Sequence, residues 1–305
     1  MADHSKQAMP AATANLILEK LESTRDLPTV PAALIPLLKC MEKPVEQVDI
    51  HQVVSLIGQD KSLAGRCLQM ANSPLFGMRR EVETVQSAVV ALGLDRVQQI
   101  AVSCSLLKLM PAISLGVNPS VFWAHSLACA MVAREVAIRI GFPEPAKAYA
   151  AGLLHDIGII AVLWVAPHEF RRSYEEARNN RIPLHEAEDH VLGITHCDSG
   201  KIIARTWNLP PELTQVIAGH HAPSNVHGDY SLPSIVCISD LLCRFGGLGY
   251  GYLEERSNLA EEPAFAQLAS RYAALRPFDL VRLTAEMQSL LDEVRFLVSR
   301  IYRNH

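Results

Sequence analysis

The chain carries a histidine and an aspartate side by side, His155 and Asp156, inside the apolar run AAGLLHDIGIIAVLW of residues 150–164. A polar group buried without a hydrogen-bond partner destabilises a fold by roughly a few kcal/mol. An imidazole and a carboxylate in this context therefore need partners. A metal ion held between them would supply one, and a backbone carbonyl that accepts from the imidazole is the alternative for the histidine.

Five further side chains that can bind a metal lie in apolar or helix-terminal stretches of the sequence: His125, His196, His220, His221 and Asp240. Convergence on a metal would satisfy all of these groups together. Five imidazoles and two carboxylates suit Fe, Mn, Co, Ni or Zn and suit Ca or Mg poorly. We expect a divalent transition metal, Fe or Mn in preference to Zn or Ni.

Seven ligands exceed the needs of one tetrahedral site, so the set predicts two ions that share a bridging carboxylate. Such a pair can activate a bound water molecule and brace the oxygens of a phosphoryl group.

The remaining histidines show no such context. His190, six residues before His196, is a candidate to support a ligand from behind, whereas His4, His51, His168, His185, His227 and His305 lie at termini or in polar surroundings. No GxSxG motif is present, which disfavours a serine hydrolase. We interpret Cys197 as a packed thiol and not as a nucleophile.

Helical periodicity dominates the chain, and no long run alternates apolar and polar residues with a period of two. Asn118 and Pro119 are typical of a helix start, and Gly141 then ends a helix over VFWAHSLACAMVAREVAIRI. Thr195 with Asp198 three residues on forms a variant of the capping box. The sequence therefore predicts an all-α helical bundle.

The upstream helices are shorter, because prolines and Gly93 interrupt them. Pro111–Pro119 is the expected boundary between two parts. We predict a disordered tail over 1–13, an N-terminal helical part over 14–115, a metal-site part over 116–250 and a helical extension over 251–305. We interpret Asp60, Asn72 and Ser73 as caps and turn residues; the alternative is a groove near Asn72 that a partner or ligand enters.

The last segment places apolar residues at alternating steps of four and three: Leu283, Met287, Leu290, Val294, Leu297 and Ile301. This is a heptad pattern, but it lasts for only about three heptads. A helix docked on its own core is the favoured interpretation, and a homodimer through this C-terminal helix is the alternative.

Composition narrows the possible partners and the compartment. The 305 residues carry a net charge of -4 and no basic cluster, so no nucleic-acid partner is predicted. The seven cysteines include no CxxC pair, which favours reduced thiols in a cytoplasmic protein. The sequence contains no apolar run of the roughly 18 residues that a membrane span needs, so we expect no membrane partner.

Several segments together resemble the HDOD family, the HD-related output domains of bacterial signalling proteins within the HD superfamily of metal-dependent phosphohydrolases. LPTVPAALIPLL, QDKSLAGRCLQMANSPLFG and VQSAVVALGLDRV carry the N-terminal resemblance. HSLACAMVAREVA, AAGLLHDIG, GITHCDSGKIIARTWNLPPELTQVIAGHH and ISDLL continue it to about residue 245.

The resemblance implies an HDOD-like all-helical fold and a regulatory role that acts by binding a signalling protein or a small ligand. It implies that His125, His155, Asp156 and Asp240 match the ligands of a mononuclear HD site. His196, His220 and His221 then match the further ligands of di-metal relatives, with Asp156 as the bridge.

Two departures weaken a catalytic interpretation. In the related HD-GYP cyclic dinucleotide phosphodiesterases a lysine follows HDIG, whereas Ile159 stands here, and no Gly-Tyr-Pro follows His221. Hydrolysis of cyclic di-GMP is therefore not expected. A binding module with a retained metal site is the favoured hypothesis. The alternative is a metal-dependent phosphohydrolase acting on a nucleotide or another phosphoester, with Asp156 in its catalytic centre.

Overall fold

The computed structural model of the chain describes residues 5–23, 27–78, 80–111, 117–252, 254, 261–273 and 280–303. Within these ranges the protein is all-α, as predicted, and contains no strand. The N-terminal helices are α1 (Ser5–Glu22), α2 (Leu34–Met41), α3 (Ile50–Gly58), α4 (Lys61–Ala71), α5 (Val85–Leu92) and α6 (Leu94–Leu106).

Two of the turn residues named from the sequence have structural roles. Asp60 caps α4 by accepting hydrogen bonds from the backbone N–H groups of Ser62 and Leu63. The Asn72 amide bonds both the N–H and the carbonyl of Val82, at 2.8 and 2.9 Å. Asn72 therefore ties the end of α4 to the segment that leads into α5.

Helix α1 begins at Ser5, so residues 5–13 are helical where the sequence analysis placed a disordered tail. Alanine is frequent in SKQAMPAATAN, and alanine has the highest intrinsic helix propensity. Residues 1–4 lie outside the described residues.

The second part supplies the residues of the predicted site. Its helices are α7 (Pro119–Ile140), α8 (Pro145–Leu154), α9 (Ile157–Val165), α10 (Pro167–Asn180), α11 (Leu184–Leu192), α12 (His196–Thr206), α13 (Pro211–Gly219) and α14 (Ser231–Phe245). Asn118 caps α7 and Gly141 ends it in the left-handed conformation, as the sequence predicted. The predicted boundary around residues 111–119 includes 112–116, which lie outside the described residues.

Two glycines allow the helices of this part to approach closely. A Cβ at Gly152 would lie 2.7 Å from the carbonyl oxygen of Cys129, where α8 crosses α7. A Cβ at Gly158 would lie 1.9 Å from the carbonyl oxygen of His196, where α9 meets α12. Side chains larger than hydrogen would push these backbones apart, so the glycine of HDIG is a packing requirement.

Two apolar segments, Pro119–Ile140 and Pro145–Val165, are long enough to cross a membrane by length and composition alone. Their apolar windows are 72% and 94% buried inside the protein, as expected for core helices.

The C-terminal helices are α15 (Pro263–Arg271) and α16 (Leu280–Arg303). Helix α16 packs on α7, on α14 and on the short turn Pro74–Phe76. Its buried side chains are Met287, Leu291, Val294, Leu297, Val298 and Ile301. The predicted heptad face therefore lies against the core of the same chain, with Leu290 half-buried beside it; the side chain of Leu283 lies outside the described residues.

Candidate metal centre

The seven predicted side chains lie within or at the ends of six helices and meet at one place. His125 lies inside α7 and Asp240 inside α14, whereas His196 is the first residue of α12. The pair His155 and Asp156 occupies the break between α8 and α9, and the pair His220 and His221 follows the last residue of α13. Helix ends suit consecutive ligands, because the turning backbone lets two neighbouring side chains point into one site.

The carboxylate of Asp156 lies at the centre of the cluster. Its Oδ2 atom is 2.9 Å from Nε2 of His155 and 3.4 Å from Nε2 of His125. Its Oδ1 atom is 3.2 Å from Nε2 of His196 and 3.4 Å from Nε2 of His220. Each oxygen thus faces a different pair of histidines, which is the arrangement that a bridging carboxylate requires.

The remaining two side chains extend these pairs into two half-sites. Asp240 Oδ1 lies 3.3 Å from Nε2 of His125, and His221 Nε2 lies 2.9 Å from Nε2 of His196. Half-site one contains His125, His155, Asp240 and Oδ2 of Asp156. Half-site two contains His196, His220, His221 and Oδ1 of Asp156.

The positions of the ring protons of His125 and His155 leave their Nε2 atoms free to bind a metal in half-site one. Nδ1 of His125 lies 2.7 Å from the carbonyl of Leu248, and Nδ1 of His155 lies 2.8 Å from that of Gly152. A carbonyl only accepts hydrogen bonds, so both Nδ1 atoms carry the proton and the neutral rings present bare Nε2 lone pairs. These Nε2 atoms lie 3.3 Å apart, and two lone pairs at this distance need a cation or a proton between them.

In half-site two, too, acceptor groups lie behind the histidine rings at their Nδ1 atoms. Glu188 Oε2 accepts from both Nδ1 of His196, at 2.6 Å, and the backbone N–H of His196, at 2.8 Å. Nδ1 of His220 lies 3.2 Å from the carbonyl of Val216, and Nε2 of His220 is buried with no hydrogen-bond partner among the described residues. Carboxylate or carbonyl contacts behind the ring are typical of metal-binding histidines, so the donor set fits divalent metal.

Without metal, both half-sites contain imidazoles that are protonated at neutral pH. Burial alone would lower the pKa of His125, but Asp156 and Asp240 raise it to about 9. Burial would also lower the pKa of His220, but Cys197 and Asp156 raise it to about 10. Burial would likewise lower the pKa of His196 in half-site two, but Glu188 and Asp156 raise it well above its ordinary value. Burial lowers the pKa of His155, which stays neutral. The metal-free site therefore holds protons where cations would otherwise offset its carboxylates.

A segment after α14 covers half-site one. We call residues 246–252 together with Glu254 the cover segment. Besides the Leu248 carbonyl, it places the ring of Tyr250 4.9 Å from that of His125, and Tyr174 donates to the Tyr250 carbonyl at 2.9 Å. His125, His155, Asp156, His196, His220 and Asp240 are 0–3% exposed, and only His221 of the set is half-buried. The centre is therefore enclosed on the side of His125 and reaches the surface near His221.

Several contributors were missed in the sequence. The sequence gives no signal for Glu188, because an acid eight residues before a histidine has no recognisable spacing. His185 lies in a polar stretch of the sequence, yet its ring stacks on that of His221, with the ring centroids 3.9 Å apart. Burial, followed by the charge of His196, lowers its pKa to about 3, so it is neutral. Cys197 lies 3.8 Å from Nδ1 of His220 and joins the donor atoms of half-site two.

His190 does not support a ligand in this structure. Its side chain is 60% exposed, and its Nδ1 lies 3.5 Å from Glu176 on the surface. The prediction was wrong because α11 presents Glu188, and not His190, to the start of α12.

The fold and the cluster together define a class of helical proteins with a buried His/Asp centre able to hold divalent metal. The HDOD domain family model matches residues 27–223, and the chain belongs to this family.

One relative is similar over most of this chain. An uncharacterized protein of Treponema pallidum (strain Nichols) is 26% identical over 222 residues, which are 72% of this chain and 42% of that protein. The chain thus spans less than half of this relative's length.

Two solved structures show the same fold. An HDOD domain protein of unknown function from Geobacter sulfurreducens has a TM-score of 0.82 at 28% identity, over 94% of this chain and 97% of that one. A candidate phosphohydrolase from Shewanella amazonensis SB2B has a TM-score of 0.69 at 20% identity, over 94% and 98% of the two chains.

Proposed function

We propose that this chain is a cytoplasmic regulatory module that acts by binding a signalling protein or a small ligand. We also propose that its His/Asp centre holds two divalent transition metal ions, Fe or Mn in preference to Zn or Ni. Half-site one would hold one ion through His125, His155 and Asp240. Half-site two would hold the other through His196, His220 and His221, with Asp156 between them. Bound metals would neutralise the buried carboxylates and join six helices.

The observation that carries this proposal is the division of the Asp156 carboxylate between two histidine pairs beneath a closed cover. A catalytic metal keeps a coordination position open for water or substrate. Here the cover segment lies on His125. The side chain of Ile159 is fully buried at the position where the HD-GYP cyclic dinucleotide phosphodiesterases have a lysine. Enclosure of this kind favours a binding role over turnover.

A second candidate is a metal-dependent phosphohydrolase. The half-buried position of His221 favours it, because this side of half-site two is accessible to solvent. When bound, the two ions would supply an activated water and charge stabilisation for a phosphoryl group. The chain's own contribution would be to orient the histidines through Glu188 and the backbone carbonyls and to exclude water through the cover segment.

Elemental analysis of the purified protein, with and without added Mn or Fe, tests the metal centre directly. Two ions per chain are expected in the wild type and fewer than one in Asp156→Ala, because this substitution removes a ligand from both half-sites. A wild-type protein free of bound metal under all loading conditions would refute the proposal.

A screen of phosphodiester and phosphomonoester substrates separates the two candidates. Bound metal without turnover supports the regulatory module. Turnover that Asp156→Ala abolishes while the helical content persists would establish the phosphohydrolase instead.

A further inference from the structure

Arg244 is a buried cation in direct contact with a candidate metal ligand. It lies one turn after Asp240 in α14, and its side chain is 14% exposed. Its Nε and one terminal nitrogen donate to the two oxygens of Asp240, at 3.1 and 3.0 Å. Its other terminal nitrogen donates to Glu254, whose side chain is 15% exposed.

The guanidinium therefore has two edges with different partners. One edge holds Asp240 in the orientation that half-site one requires. The other edge points away from Asp240 and is covered by the carboxylate of Glu254. A guanidinium recognises carboxylate and phosphate oxygens through the same charge-assisted hydrogen bonds, so a phosphate oxygen would compete with Glu254 for the same nitrogen of Arg244.

The cover segment that carries Glu254 has features of a displaceable element. Gly247 and Gly251 have positive φ angles of 77° and 87°, so a glycine stands near each end of the segment that lies on His125. The hydroxyls of Tyr250 and Tyr252 are buried without a hydrogen-bond partner among the described residues. Unpartnered hydroxyls weaken the closed arrangement, because they lose their bonds to water and gain none in return.

Accordingly, we propose that Arg244 is an anion-binding residue of the metal centre, that it takes the phosphate group of the ligand, and that Glu254 is an internal competitor that holds this position when the ligand is absent. This inference rests on the proposed binding function and names its ligand class, a phosphate-bearing small molecule. Arg244 also supplies a charge beside the centre that the apolar Ile159 does not provide.

Calorimetric titration with inorganic phosphate tests the competition, on both Mn-loaded and metal-free protein. Glu254→Gln removes the competing charge and retains the side-chain size, so phosphate should bind at least about tenfold more tightly than in the wild type. The double variant with Arg244→Lys should lose this gain, because an ammonium lacks the planar fork. Glu135→Gln, which removes a carboxylate paired with Arg139 at 2.8 Å, is the matched control and should leave phosphate affinity unchanged.

Equal phosphate affinity of Glu254→Gln and wild type in both metal states, with helical content retained, would overturn the inference. An equal gain in Glu135→Gln would also overturn it, because the effect would then reflect net charge alone. Metal content is measured on the same samples, so a failure of the metal centre is seen separately from a failure of the anion site.

Hydrogen exchange on the wild type provides a second test that needs no variant. Saturating phosphate should speed amide exchange in residues 246–252, because the anion displaces Glu254 and releases the cover segment. Unchanged exchange under saturating phosphate would contradict the proposed displacement.

Discussion

Replacing Glu188 by glutamine should weaken half-site two and spare half-site one. Glu188 is fully buried on α11, and its Oε2 atom accepts both the ring and the backbone N–H of His196. These two bonds orient the imidazole so that Nε2 faces Asp156 and His221. Glutamine has nearly the same shape and retains an acceptor oxygen, but it removes the negative charge.

The expected size of this effect follows from the two contacts, at 2.6 and 2.8 Å. A hydrogen bond to a charged group is worth roughly 1.5–3 kcal/mol and a neutral one roughly 0.5–1.5 kcal/mol, so each contact should lose about 1 kcal/mol. Together they amount to about 2 kcal/mol, or about 30-fold in the metal affinity of half-site two. Loss of a contact behind a metal-binding histidine typically costs a comparable factor, about 10- to 100-fold.

Titration of the Mn-loaded protein with a chelator measures the effect, since it resolves a weak and a tight ion in one experiment. We expect Glu188→Gln to release one ion at about 30-fold lower chelator concentration and to hold the other as the wild type does. Asp189→Asn is the matched control, because Asp189 is the exposed neighbour on the same helix. Two ions bound with wild-type affinity by Glu188→Gln would refute the assigned role of Glu188, and a loss in Asp189→Asn would show a general charge effect.

Three further predictions concern packing, protons and the C-terminal helix. Gly158→Ala should lower the free energy of unfolding by about 3 kcal/mol or more in chemical denaturation, because its Cβ would overlap the α12 backbone. The control Gly65→Ala has open space at its Cβ and should raise the free energy of unfolding by up to about 1 kcal/mol. Metal affinity should increase as the pH rises from 6 to 9, because His125, with a pKa of about 9, must lose its proton to bind metal. Calorimetry at pH 7 in two buffers that differ in ionisation enthalpy should detect this proton release. Metal binding without proton release would contradict the role of His125 as a ligand. Leu291→Ala, at a buried position of α16, should lower the free energy of unfolding by about 2–5 kcal/mol and leave the molecular mass in solution unchanged. The control Phe296→Ala, at a 52% exposed position, should have little effect on either quantity. A change in molecular mass for either variant would favour the homodimer.

The linkage of stability to pH in the metal-free protein follows from the same residue. The pKa of His125 in the folded state, about 9, lies above the roughly 6.5 expected when unfolded. Protonated His125 therefore stabilises the fold fully below about pH 6.5, and this contribution is lost as the pH rises through about 9. Metal should remove this dependence, since it replaces the proton as the cation beside Asp156.

Features of the fold that neighbouring residues decide can be predicted from the sequence. The ends of α7 at Asn118 and Gly141, and the contact of Thr195 with Asp198 at the start of α12, depend on neighbouring residues alone. The seven candidate side chains stood out because polar residues in apolar runs need partners, and the fold brings them together. The helix over residues 5–13 was missed because a polar, Ala-containing N-terminus resembles a tail in composition.

The supporting residues could not be found in the same way, since long-range packing selects them. Glu188 and His190 both lie on α11, and only the rotation of that helix against α12 decides which one reaches His196. The carbonyl of Leu248 contacts His125 from 123 residues away, and a backbone carbonyl leaves no trace in the sequence. Arg244 follows Asp240 by four residues, so its contact with Asp240 could have been anticipated on a helix, but its contact with Glu254 could not.

Under the proposed regulatory function, the position of the His-Asp pair at a helix break would let metal occupancy act as a signal. The chain leaves α8 after Leu154 and enters α9 at Ile157, so His155 and Asp156 belong to the junction of two helices. An ion in either half-site would bind this junction to a third element, α7 or α12, and Gly158 keeps α9 in contact with α12. Under this regulatory function, loss of an ion would loosen this junction, and a partner or ligand would detect the change without any chemistry at the metal.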